Sequence, residues 1–227
     1  MLVFRTSWDF LCRIKKGAIM LFVIMGASGV GKSVALHGLL LTHPPVIWYD
    51  FDSVGVPPHA DKRWRQRTIE HWVKIALEHQ SHGQDMGLCG NAAFGEFLAC
   101  PSALQISGIA GCLLDCGDVV RIDRLRGRNP RDHGISQGML SWAAWHRMHA
   151  VDPQWRQDVI REGAEPGMQW KRWEQWQRGD ARWSIWTFDT TFLVPDEVVQ
   201  HLSDWITEQH QLYVAGCHPL QGKWWDG

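Results

Sequence analysis

An apolar run at residues 19–25, IMLFVIM, stops at Gly26-Ala27-Ser28-Gly29-Val30-Gly31-Lys32-Ser33, and a helix-compatible stretch, SVALHGLLL, begins at once. This is G-x-x-x-x-G-K-S with a strand signal before it and a helix signal after it. Glycines at these positions let backbone N–H groups turn inward around phosphate oxygens, and the helix N-terminus adds its partial positive charge. The pattern predicts a nucleoside-triphosphate site over residues 26–33 together with Val34. Lys32 is expected to reach the β- and γ-phosphates, and the Ser33 hydroxyl to ligate Mg²⁺. The plain alternative is a glycine-rich strand-to-helix turn with no ligand.

At 227 residues and 45% hydrophobic, the chain suits one α/β domain with a small inserted lid. A net charge of −1 gives no global pull toward nucleic acid or an anionic membrane, so any basic site must be local. Nothing in the sequence separates a monomer from a homodimer. The six cysteines (Cys12, Cys89, Cys100, Cys112, Cys116, Cys217) form no C-x-x-C and no zinc-type pairing with histidine, which fits a reducing cytoplasm without structural disulfides. The apolar run before the glycine loop is too short to span a bilayer. Charges at Arg5, Asp9, Arg13, Lys15 and Lys16 interrupt what precedes it, so it does not read as a signal peptide. Residues 1–17 are set apart as an extension, residues 18–209 as the main domain and residues 210–227 as a tail.

A second strand signal, Pro45-Val46-Ile47-Trp48-Tyr49, closes on Asp50-Phe51-Asp52-Ser53. Ligands of open α/β sheets collect at the C-terminal ends of strands, which places these carboxylates well for chemistry, although an acidic turn or cap has the same composition. Residues 61–80 read as a helix with Ile69, Val73, Ile75 and Ala76 apolar. Arg63 and Arg67 share a face of its first turns and could hold an anionic or polar acceptor, or form a solvated face. Residues 85–90 are a weak third strand ending at Asn91, which joins the expected acceptor-binding residues. Helical stretches are expected near Phe94 and again after Pro101, and residues 109–115 form a buried fourth strand ending in Asp115, either a second Mg²⁺-associated acid or an ordinary strand end.

Five arginines then fall in eleven residues, Arg121 to Arg131. Guanidinium groups bind phosphate bidentately and offset the charge that spreads over a transferring phosphoryl group, so residues 118–133 read as a lid, with a solvated helix as the alternative. Residues 134–182 read as mostly helical, with breaks at Pro153 and near 163–167, and with the next few residues they carry over half of the 15 tryptophans. These form either an aromatic wall for an acceptor or packing onto the sheet. Residues 183–189 are the expected fifth strand, and a helix opens at Pro195 with Val198, Val199, Leu202 and Ile206 on its apolar side.

The layout resembles the nucleotide-kinase-like group of phosphate-loop small-molecule kinases, which includes shikimate, gluconate, adenylylsulfate, chloramphenicol and nucleoside monophosphate kinases. The resemblance implies an α/β fold of three layers, a five-stranded parallel sheet in the order 2-3-1-4-5 with helices on both faces and an arginine-rich lid. It implies ATP and Mg²⁺ as cofactors. Asp50-Phe51-Asp52 resembles the group's D-x-D, in which one carboxylate (here Asp50) helps hold Mg²⁺ and another (Asp52) contacts or deprotonates the acceptor hydroxyl. By the same resemblance Arg121, Arg124 and Arg128 belong to a lid that touches adenine and phosphates, with Arg124 and Arg128 beside the transferring group. Thr190 and Thr191 close the adenine pocket. The implied activity is transfer of the γ-phosphate of ATP to a hydroxyl or similar group of a small molecule, for which a specialised metabolite is a plausible acceptor. The group's acceptor-side signatures are absent and residues 134–182 are longer than a shikimate-type kinase would have. A kinase of a nucleotide, sugar nucleotide or nucleic-acid end, or a non-kinase nucleotide-driven switch, stays open, although no N-K-x-D guanine-reading motif occurs.

Overall fold

The computed structural model describes residues 19–128 and 135–225. The expected extension at 1–17 and the end of the expected lid, including Arg131, lie outside the described residues. Five strands, β1 (Leu21–Met25), β2 (Val46–Asp50), β3 (Asp85–Gly90), β4 (Ile109–Asp115) and β5 (Ile185–Asp189), form one parallel sheet in the order β2-β3-β1-β4-β5. This is the order that the resemblance implied.

Strand β1 is buried along its whole length, so both faces must be covered, and the period-two alternation of a strand divides it between two cores. Leu21, Val23 and Met25 face one core and Met20, Phe22 and Ile24 the other. Helices α1 (Lys32–Thr42) and α7 (Pro195–Val214) cover the second face, with Ala35 and Leu39 meeting Val198, Val199, Leu202 and Ile206. Their backbones approach closely because Gly38 has no side chain: a Cβ there would lie 2.2 Å from Val199 Cγ2. The first face takes α2 (Lys62–Ser81), the short α3 (Phe94–Ala99) and most of the tryptophans.

Two expectations need correction here. The stretch 134–182 is not mostly helical. After α5 (Gln137–Val151) it holds only a four-residue helix, α6 (Asp158–Arg161), one 3₁₀ turn and irregular chain. Gly163, Gly167 and Gly179 take positive φ, and side chains supply the backbone partners that a helix would otherwise provide. Gln154 Nε2 donates to the carbonyls of Glu174 and Trp176, and Gln157 Nε2 to those of Pro153 and Glu174. The second correction is to β5, which starts at Ile185. Trp183 is instead drawn into the first core, where its indole N–H donates to the carbonyls of His149 and Ala150.

The tryptophans are mainly core. Trp145, Trp173, Trp176 and Trp183 are buried, and Trp173 fills the space over Gly95, to whose carbonyl its indole donates at 2.8 Å. Two histidines are enclosed with them. His149 stacks on Trp145 with ring centroids 4.4 Å apart, and His146 stands edge-on to Trp142 at 4.5 Å. Burial holds His149 down at about 4 and His146 well below the usual imidazole range, and the charges of Arg65 and Lys32 push His146 further down. Above the ordinary histidine value both rings are neutral in either state. Below it the unfolded chain takes up protons that the fold refuses, so stability falls with pH until the folded values are reached. Between about pH 6.5 and about pH 5 each ring is expected to remove up to about 2 kcal/mol. Urea unfolding at these two pH values checks this, and an unchanged midpoint would contradict it.

Candidate active site

The turn between β1 and α1 stands at the C-terminal edge of the sheet. Gly29 and Gly31 have φ of 90° and 104°, conformations that side chains rarely adopt, and Gly31 N-caps α1 without a side-chain bond. Gly26 is confined by its neighbours: a Cβ there would sit 2.5 Å from the carbonyl oxygen of Leu114 and 2.8 Å from Val30 Cγ2. Because the first obstacle is backbone, Gly26→Ala is expected to lower stability by about 1–3 kcal/mol, read by thermal unfolding.

Lys32 begins α1, and its Nζ donates to the carbonyls of Gly26 at 2.8 Å and Ala27 at 3.0 Å, closing the turn on itself. Burial lowers its pKa, and the Arg128 charge adds to this, while the Asp52 and Asp50 carboxylates pull the other way. The Cys89 thiol, pushed up to about 12 by burial, stays protonated and donates to the Lys32 carbonyl. Ser33 is exposed one residue on and faces the same cleft of about 420 Å³, which Ser28 and Gly29 also line.

Across that cleft lies the tip of β2. Asp50 ends the strand and caps a 3₁₀ turn, Phe51–Val54, by accepting from the Asp52 amide at 2.8 Å. Both carboxylates line the cleft opposite Lys32 and Ser33. Partial desolvation and the neighbouring Asp50 raise the Asp52 pKa, and Lys32 offsets part of the rise. The turn, which the sequence alone reads equally as a cap, is therefore both cap and cleft wall.

The cleft's far wall comes from the start of α2, and here the expectation was wrong by one helical step. Arg63 and Arg67 do not face the cleft. Arg63 Nε donates to the Gly163 carbonyl at 3.1 Å and Arg67 pairs with Glu165 at 2.7 Å, both toward the tryptophan-rich segment. Their neighbour Arg65 does line the cleft, because the intervening residue on a helix points to the opposite side. Its guanidinium grips Glu96 bidentately at 2.9 and 2.7 Å and lies over the Trp142 ring at 4.8 Å. Glu96 is fully buried and also accepts from Gln66 Nε2 and the Ala93 amide. Sequence reasoning missed this pair, since residues 31 apart reveal no pairing by spacing. Asn91 also lines the cleft, and its Oδ1 accepts from the Trp142 indole at 2.6 Å. Asp61 and Trp64, also missed, complete this side.

Helix α4 (Asp118–Arg128) carries the arginine run, and its members separate. Arg121 is fully buried beneath the glycine turn instead of facing a ligand. It pairs with Asp118 at 3.1 Å and donates to the Ser28 carbonyl at 3.4 Å, and a Cβ on Gly29 would lie 2.9 Å from its Cγ. Its place as a direct nucleotide contact is corrected accordingly: Arg121 is the one buried residue of α4, turned under the glycine turn and paired with Asp118. Arg124 donates to the Thr190 carbonyl at 2.7 Å and to its hydroxyl at 3.1 Å. The buried Thr190 hydroxyl in turn donates to the carbonyl of Val30 at 2.8 Å, tying the β5 loop to the glycine turn. Thr191 Oγ1 accepts from the Gly117 amide and donates to Asp189, so its hydroxyl is engaged locally. A second cavity of about 330 Å³ opens here, with Val34, Arg124, Thr190 and Pro195 among its lining residues. Arg128 borders both cavities. Asp115 is not available as a second acid beside the turn: Arg147 Nε holds its carboxylate at 2.6 Å.

A glycine turn leads from the central strand of a 2-3-1-4-5 parallel sheet into a helix, and Asp50 and Asp52 stand at the tip of the edge strand β2, beyond β3; this is the fold that the resemblance implied. No protein-family model matches the chain, and no curated protein matches it. Among solved structures it is similar to a sugar kinase from Janibacter sp. HTCC2649, with TM-score 0.49 and 15% identity over 83% of this chain and 95% of that one. It is also similar to the shikimate kinase of Acinetobacter baumannii in complex with shikimate, with TM-score 0.43 and 12% identity over 84% and 93% of the two chains. Among the described residues, no helix is long and apolar enough to cross a membrane, and Cys89, Cys100, Cys112, Cys116 and Cys217 are free.

Proposed function

We propose that this protein is an ATP-dependent kinase that moves the γ-phosphate to a hydroxyl group of a small molecule. The observation that carries the reading is the single cleft in which Lys32 and Ser33 of the glycine turn face Asp50 and Asp52. The triphosphate would lie along residues 26–33, with the base in the second cavity between Val34, Arg124 and Thr190, and with Arg128 between the two.

The residues fit Mg²⁺. Ser33 and Asp50 offer hard oxygen donors at the triphosphate end, and among the described residues no cluster of three or more His, Cys, Asp or Glu forms a closed metal cage. That is the donor set of an ion that relies on one or two carboxylates plus phosphate oxygens. When bound, Mg²⁺ would neutralise charge on the phosphates. Lys32 would release the Gly26 and Ala27 carbonyls to meet the γ-phosphate. Asp52 would accept the acceptor's hydroxyl proton as the new oxygen–phosphorus bond forms and the bond from the γ-phosphorus to the β,γ-bridging oxygen breaks, leaving ADP. A carboxylate with a raised pKa is a stronger base for that step. Positioning and charge stabilisation would do most of the work, as is usual for phosphoryl transfer.

Phosphorus NMR of the protein with ATP, Mg²⁺ and fractionated small-molecule extract tests the proposal. A new phosphate-ester resonance matched by ADP is the expected result. ADP and inorganic phosphate alone, under every acceptor fraction, would argue for a hydrolase instead.

A further inference from the structure

Arg121 is a cation that stability alone does not account for. Its side chain is fully buried, and a buried charge is costly unless it is paired and hydrogen-bonded throughout. Arg121 falls short of that. Its carboxylate partner, Asp118, lies at 3.1 Å, is 46% exposed and is shared with Arg147 at 2.8 Å. Its bonds to the Ser28 and Met139 carbonyls are long, at 3.4 and 3.5 Å, and among the described residues its Nε–H has no acceptor. Groups that break a local rule of stability concentrate where function needs them.

The place of Arg121 supplies the need. The glycine turn rests directly on α4: a Cβ on Gly29 would lie 2.9 Å from Arg121 Cγ and 3.1 Å from the Arg121 carbonyl oxygen. Ser28 and Gly29 line the cleft, whereas the Arg121 guanidinium is enclosed on the core side. A trans peptide carries its N–H opposite to its C=O. Drawing the Ser28 carbonyl toward Arg121 therefore turns the Gly29 N–H the other way, to the cleft. Gly29, at φ 90°, tolerates either orientation of that peptide, so something outside the turn must select one. With the plane reversed, a carbonyl oxygen would meet the phosphate. The carbonyl of Val30 is held similarly, by the buried Thr190 hydroxyl, to which Arg124 donates from three residues further along α4. One helix thus fixes the turn at two points.

We infer that Arg121 is a positioning residue for the triphosphate: it holds the Ser28 carbonyl on the core side and so keeps the Gly29 amide aimed at the cleft. This rests on the reading of residues 26–33 as a triphosphate site.

The test compares the full chain with Arg121→Met and Arg121→Lys. Methionine fills the space of the aliphatic stem, and Asp118 keeps Arg147, so no carboxylate is orphaned. Replacing an imperfectly paired buried ion by an apolar side chain is often neutral or stabilising, so the thermal midpoint should match or exceed that of the parent. Calorimetric binding of inorganic tripolyphosphate with Mg²⁺ should weaken at least about tenfold, as for loss of a bond to a charged group. Arg121→Lys keeps a cation and N–H donors and should recover most of that affinity. In protein carrying isotope-labelled glycine, the Gly29 amide proton of the parent should move downfield when tripolyphosphate is added, and far less in Arg121→Met. A role in stability alone would not separate the two spectra. If Arg121→Met does not fold, Arg121→Gln takes its place with the same expected loss, and the parent's Gly29 signal is read in either case. A folded neutral variant that binds tripolyphosphate as tightly as the parent overturns this inference and leaves the triphosphate site standing. So does a Gly29 amide that ignores tripolyphosphate bound to the parent. A parent protein that binds neither tripolyphosphate nor ATP overturns the triphosphate site itself, and the role of Arg121 with it.

Discussion

Lys32→Ala is expected to abolish phosphotransfer, with turnover falling by about a thousandfold or more, because a preorganised cation opposite developing phosphate charge is worth several kcal/mol in a site shielded from water. The environment supports so large a value. Burial lowers the Lys32 pKa, and the Asp52 and Asp50 carboxylates favour its charged form. The variant also loses two bonds across the turn, to the carbonyls of Gly26 and Ala27, so the loop itself should loosen. Thermal unfolding separates the two effects. A stable variant with no detectable transfer and weaker ATP binding is the expected outcome. Full activity in the variant would remove Lys32 from the chemistry.

Asp52→Asn is expected to leave ATP binding within a few-fold of the parent while lowering transfer by about 10²–10⁴-fold, the range for loss of a positioned general base. The conservative amide keeps the size of the side chain, and the Asp52 amide bond that Asp50 caps belongs to the backbone, so the 3₁₀ turn should persist. Asp50→Asn should behave differently. Its amide oxygen can still accept from the Asp52 amide, so the cap should persist while the proposed Mg²⁺ contact weakens, and the Mg²⁺ concentration needed for half-maximal rate should rise. A single-turnover assay at varied Mg²⁺ distinguishes the two carboxylates. If Asp52→Asn transfers phosphate normally and Asp50→Asn does not, the roles assigned to them are exchanged.

Much of the fold could be read without coordinates because its signals are local. Apolar runs of five to seven residues ending in glycine or aspartate marked β1 and β4, and the Pro195 start with apolar residues at helical spacing marked α7. The signals failed where partners are remote. Residues 152–182 contain helix-compatible sequence, yet their backbone is held by Gln154 and Gln157, and the segment is anchored by Arg172 on the Leu98 carbonyl and by packing of Trp173 and Trp176, none of which a short window reveals. Charge was the least legible property of all. Arginines 63, 65 and 67 look alike in sequence, but only Arg65 turns to the cleft, and there it meets a buried carboxylate from α3 that cancels its charge. Arg121, part of a run that reads as a lid, is instead enclosed under the glycine turn.

By itself the sequence determined the strand–glycine turn–helix unit, because φ above zero, a helix N-terminus and one lysine are demands that a few adjacent residues meet together. It also determined that two carboxylates follow the second strand. Only the tertiary structure decided which cations face the cleft and which are already paired, because burial and pairing depend on residues brought together from distant parts of the chain.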